Sequence, residues 1–139
     1  MSIVAIVVIA ALVAGVLFAS GQEARVGRSE LLDQQTFAYA ERAANDAVDA
    51  FDVVARDSMA PATVISYTAP ADPPLESIVY ITRLDSALFQ IVAEAKITRG
   101  NVPVTQRRIG ITLRMQRDDS TARRVSRVRD LAWAALYKM

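Results

Sequence analysis

The 139 residues are 53% apolar and 22% charged, which fits one modest domain together with an apolar N-terminal run. The chain contains no His and no Cys, which excludes thiol nucleophiles, zinc clusters, haem attachment, disulfide frameworks and histidine acid–base chemistry. Net charge is only +1, but residues 1–95 hold twelve acids against five bases, about −7, and residues 96–139 hold eleven bases against three acids, about +8.

A chain divided in this way suits partners of opposite sign at its two ends, and a copy of itself is one such partner. From Ile3 to Ala19 the sequence reads IVAIVVIAALVAGVLFA, with no charge and no strong polar group. As a helix this stretch spans roughly 25–30 Å, about the thickness of a hydrocarbon core. Three roles compete: a cleaved secretory signal, an ordinary membrane anchor, and the assembly helix of a filament subunit. A secretory signal needs a basic segment before its apolar run, and only Met1 and Ser2 stand there. For an ordinary anchor the nearest bases, Arg25 and Arg28, lie on the C-terminal side and would orient the chain backwards for export. Removal of a short basic leader ahead of Met1 resolves the difficulty, and this is the expectation.

Beyond Gly21 the apolar period becomes helical. Phe37, Ala40, Ala44, Ala47, Val48, Phe51, Val54 and Ala55 recur at three- and four-residue steps, while Glu41, Arg42, Asn45, Asp46, Asp49, Asp52 and Arg56 fall on the opposite side, with Ala43 and Ala50 between them. No proline interrupts residues 1–60, so a single helix is predicted from near Ile3 to Asp57, on the order of 80 Å long. Gly15, Gly21 and Gly27 weaken it by roughly 1 kcal/mol each relative to Ala. They mark either close helix packing or points where the helix unwinds.

Met59-Ala60-Pro61 ends the helix, and Pro70, Pro73 and Pro74 mark an irregular connection around a short strand at 63–67. From Leu75 the period becomes two. Strands are predicted at 77–84, at Phe89–Thr98 with Phe89, Ile91, Ala93, Ala95 and Ile97 inward, and around Ile109, Ile111, Leu113 and Met115. Residues 99–103 form the hairpin turn, and pairing with residue numbers summing to 202 opposes Phe89 to Leu113, Ile91 to Ile111, Ala93 to Ile109, Gln90 to Thr112 and Glu94 to Arg108. A further strand is expected at 123–129, with Leu131, Trp133, Leu136 and Tyr137 packing the end of the head. The apolar face of such a small sheet requires the helix stripe as its second layer. The predicted class is therefore α+β: a long N-terminal helix packed on a small C-terminal antiparallel sheet, divided as 1–21 (filament-core or transmembrane helix), 22–58 (amphipathic continuation) and 59–139 (head).

Catalytic signals are lacking. Asp118 and Asp119 precede Ser120 and could hold a hard cation, but a polar turn explains them better. Neither Asp85 nor Glu94 has a convergent second acid, and no phosphate-binding glycine motif or nucleophile elbow is present. No cofactor and no metal site is expected, and the chain is not expected to be an enzyme. The arginines at 107, 108, 114, 117, 123, 124, 127 and 129 suit either phosphate or carboxylate. Few aromatics accompany them for base stacking, so pairing with the acids of the helix, within or between subunits, is favoured over nucleic acid. The charged contact surface expected is Arg108, Arg114, Arg123 and Arg124 with Asp46, Asp49 and Asp52.

An apolar opening of about twenty residues, a continuous amphipathic helix and a terminal antiparallel sheet resemble the type IV pilins and the pseudopilins of type II secretion. The stretch LVAGVLFASGQEARVGRSELLDQQTFAYAERAANDA is similar to the N-terminal helix of PilX-like pilins. The resemblance implies cleavage by a prepilin peptidase, methylation of Met1, residence in the inner membrane before assembly, and an ATP-driven assembly machine that builds a homopolymeric extracellular filament. It also implies that the helix could melt between Gly15 and Gly21. Ala5 stands where most pilins have Glu and Met1 where most have Phe; absence of that Glu is typical of certain minor, tip-located subunits, while an ordered chain also fits a major subunit. The filament core would be built from Ile3, Ile6, Val7, Ala10, Val13, Ala14, Gly15 and Leu17. The rival expectation is a single-pass membrane-anchored binding module whose Arg-rich sheet recognises DNA or an acidic surface.

Overall fold

A computed structural model describes residues 2–100, 102–117, 123–129 and 134–136. The fold is α+β, with one long N-terminal helix and a six-stranded antiparallel sheet, and the chain divides into two compact units, Met1–Gln34 and Gln35–Met139. Helix α1 covers Ser2–Asp49 without interruption at Gly15, Gly21 or Gly27. In the first unit every residue from 3 to 31 is exposed, including the whole apolar run.

The second unit begins with the last turns of α1. The helix predicted to reach Asp57 instead stops at Asp49 and restarts as α2 (Val53–Asp57). Asp52 is the cause: its backbone is extended, at φ −82° and ψ 104°, and its carboxylate accepts from the amides of Val54 and Ala55 at 2.9 and 3.1 Å. The break lets Phe51 turn its ring edge-on to Phe89, with centroids 5.2 Å apart. It also takes Val54 and Ala55 off the apolar stripe, and both are exposed, Val54 at 77%.

The strands are β1 (Val64–Ala69), β2 (Leu75–Arg83), β3 (Leu88–Arg99), β4 (Val102–Arg117), β5 (Arg123–Arg127) and β6 (Ala134–Leu136). They run in the order β1-β2-β3-β4-β5, and β6 also pairs with β4. The edge of β4 away from β3 is shared, by β6 along 108–110 and by β5 along 113–117. Short strand β6 has no periodic signal of its own. Gly110 lies beneath its Leu136, where an added Cβ would come within 3.2 Å of that side chain.

The β3–β4 register agrees with the expectation: Phe89 faces Leu113, Ile91 faces Ile111, Ala93 faces Ile109, and Glu94 faces Arg108. The sum of 202 holds as far as Ile97↔Thr105 and then shifts, with Thr98 opposite Pro103, so Val104 is the extra residue of a bulge. Pro103, which cannot donate to a ladder, sits at that irregularity. Gly100 takes the positive φ of 65° that closes the two-residue turn between Arg99 and Val102.

The core lies between one sheet face and the helix. Val79, Ile81, Phe89, Ile91, Ala93, Ile109, Ile111 and Leu113 pack with Ala40, Ala43, Ala44 and Ala47, while Phe37, Val48 and Phe51 close the rim. Ala43, predicted at the border of the stripe, is buried with the other helix alanines of the core. Leu131, Trp133 and Tyr137 lie outside the described residues, as do Asn101 and Asp118-Asp119-Ser120; Leu136 is in β6.

Candidate functional site: an apolar helix and an arginine-lined cleft

The first candidate surface lies in the Met1–Gln34 unit. Ile3, Val4, Ile6, Val7, Val8, Ile9, Leu12, Val13, Val16, Leu17 and Phe18 are all large, apolar and at least half exposed, from 52% at Val8 to 79% at Ile3. By length and composition α1 can cross a membrane. Its small residues are spaced for close helix contact, with Ala10 four residues before Ala14 and Ala11 four before Gly15, so the helix narrows locally between Val7 and Phe18. A Cβ added at Gly15 or Gly21 would meet nothing within 4 Å. Of the expected filament-core residues, Ile3, Ile6, Val7, Ala10, Val13, Ala14, Gly15 and Leu17 all fall on this exposed helix. Met1, the expected modified terminus, lies outside the described residues.

The second candidate surface lies on the sheet, in the Gln35–Met139 unit. Arg108 Nε donates to Glu94 Oε2 at 2.5 Å across the β3–β4 pair, and Glu94 is only 8% exposed. Beside this pair, Val64, Tyr80, Thr82, Val92 and Leu136 form a shallow cleft of about 350 Å³. Lys96 and Glu76 pair at 3.0 Å between β3 and β2, and that hydrogen bond to the carboxylate holds the ammonium above the usual lysine range. Further along the sheet, Arg114, Gln116, Ser126, Arg127, Val128 and Arg129 line a cleft of about 370 Å³.

The expected charged residues part company. Arg108 is committed to Glu94, Arg114 lines the second cleft, and Arg124 is exposed opposite Gln116; the Arg123 side chain lies outside the described residues. On the helix, Asp46 pairs with Arg42 one turn away at 3.7 Å, Asp52 caps α2, and Asp49 is exposed. Arg127 of the sheet reaches α1, where its Nη2 donates to the Asn45 amide oxygen at 3.0 Å.

Two structural residues were not picked out from the sequence. Arg83 is 8% exposed, and its guanidinium donates to the carbonyls of Asp57, Met59, Asp85 and Ser86 while lying 5.4 Å over the Phe89 ring. Its position in phase with inward Val79 and Ile81 is the signal that would have found it. Tyr39 donates its hydroxyl to Asp72 at 2.8 Å, tying α1 to the β1–β2 connection, and this bond holds the phenol above the usual tyrosine range. Burial does the same for Tyr67.

No three metal-ligating side chains cluster among the described residues. No family model, curated protein or solved structure matches the chain.

Proposed function

We propose that the chain is a structural subunit that polymerises through its N-terminal helix into a pilus-like filament. The observation that carries this reading is the exposed apolar face of α1, which a helix in water cannot leave uncovered. In this reading inner-membrane lipid covers it before assembly, and neighbouring copies cover it afterwards in an extracellular filament. Lipid tails are as apolar as these side chains, so transfer into a helical core is favoured by tight van der Waals packing. The Ala10/Ala14 and Ala11/Gly15 spacing supplies the close approach that this packing needs. The sheet, packed on the last turns of α1, then serves as the rigid outer head. In this reading a prepilin peptidase and an assembly machine are the transient partners, and no chemistry is performed by the chain.

The second reading, a membrane-anchored module that binds DNA or an acidic surface, draws on the three arginines of the sheet cleft. Negative-stain microscopy of sheared cell-surface material separates the two. Regular filaments containing the chain are expected; a dispersed, detergent-soluble monomer would support the anchored module instead.

A further inference from the structure

The cleft of about 370 Å³ at the end of β5 is rich in hydrogen-bond donors. Arg114, Arg127 and Arg129 bring three permanent positive charges to it, and Gln116 and Ser126 add an amide and a hydroxyl. Among the described residues no carboxylate lines the cleft, and none of these three guanidiniums forms an ion pair with a described residue. Among the described residues Arg127 meets the neutral amide of Asn45. Three like charges in one concavity repel, and a carboxylate placed among them gains both charge-assisted hydrogen bonds and relief of that repulsion.

The chain itself carries the matching surface. Glu41, Asn45 and Asp49 succeed one another at four-residue steps along α1, and Glu41 and Asp49 are exposed and unpaired among the described residues. Although Arg127 of the same chain touches the middle member of this stripe, the acids on either side are left open. We propose that the arginine cleft of one copy receives the Glu41/Asp49 stripe of a second copy, as a repeating contact between heads. Cleft and stripe adjoin at the Arg127–Asn45 bond, and a contact made in one direction, from the cleft of one copy to the stripe of the next, is heterologous and propagates from copy to copy. The proposal rests on the filament reading, and it assigns the −7 and +8 halves of the chain to the two sides of one interface.

Two experiments on the full-length chain test it. Because the sequence has no Cys, a Val128→Cys copy mixed with an Ala50→Cys copy in detergent micelles can form disulfides only between copies. The mixed dimer is expected to be the main oxidised product, and its absence would overturn the contact whether or not filaments form. In cells, Arg127→Glu with Arg129→Glu should cut filament yield about tenfold, because a repulsion repeated at every subunit adds up. Adding Glu41→Arg and Asp49→Arg to the same chain should restore it. Full yield in the arginine variant would refute the proposal, as would failure of the fourfold exchange to restore filaments. Duplex DNA bound by wild type and released by the arginine variant, with filaments intact, would refute it and assign the cleft to nucleic acid. Absence of filaments from the wild type, with the mixed dimer still formed, would reject the filament reading and leave the contact standing.

Discussion

Arg83 holds together three pieces of chain that have no regular pairing with one another: the end of α2, the turn after it and the β2–β3 connection. Hydrogen bonds from a charged group are worth roughly twice neutral ones, and removing the donor strands buried carbonyls. Arg83→Met is expected to lower unfolding stability by about 3 kcal/mol in denaturant titration of the detergent-solubilised chain, whereas a loss under about 0.5 kcal/mol would show that the clamp is decorative. The Tyr39–Asp72 bond carries a pH signature. The folded-state pKa of Tyr39 lies above the ordinary value of about 10, so its contribution is fully present below pH 10 and is lost as pH rises through the raised value. The stability gap between wild type and Tyr39→Phe should therefore be flat from neutral pH to pH 10 and close above it, and a gap that widened with alkali would contradict the assignment. Arg83 and Tyr39 act through partners more than twenty residues away for the key contacts, Met59 and Asp72, which no local pattern discloses.

The β3–β4 hairpin was legible because two independent patterns, apolar alternation and the Glu94–Arg108 pair, require the same register, and a one-residue slip would expose every inward side chain of a strand. Its bulge at Val104 was not legible, since the sequence marks only a Pro near the turn and many turn geometries tolerate one. Gly100→Val forces a β-branched residue into φ 65° and should cost about 1–2 kcal/mol in thermal unfolding, with the register unchanged by amide hydrogen exchange. The end of α1 was misjudged because apolar periodicity continues past Asp52 into Val54 and Ala55, while the capping carboxylate, a stronger local signal, interrupts the helix. On α1 itself the discriminating change is apolar. Ala10→Leu with Ala14→Leu keeps a membrane-length span but fills the close-approach side, so membrane retention should persist while filament yield falls about tenfold. Val13→Asp, by contrast, puts a charge into the same run at a cost of several kcal/mol and should abolish filaments altogether. Normal filament yield from the double-leucine chain would mean that the helix merely anchors.

At the scale of the whole molecule the chain separates its tasks: a Met1–Gln34 unit with no buried core, and a Gln35–Met139 unit in which helix alanines and sheet residues share one. Composition and period alone were enough to place the apolar helix, the sheet and the charge split, because each is a property of many residues at once. The arginine cleft was less accessible, since Arg114 and Arg127 are brought together only by the β4–β5 pairing. In the proposed assembly residues 3–18 exchange lipid for one another. Electron cryomicroscopy of filaments sheared from cells tests it directly. The expected result is a helical polymer with residues 3–18 of neighbouring copies in van der Waals contact along the axis and the sheets outside. A filament whose apolar helices do not touch, or material that remains dispersed as single detergent-bound chains, would contradict it.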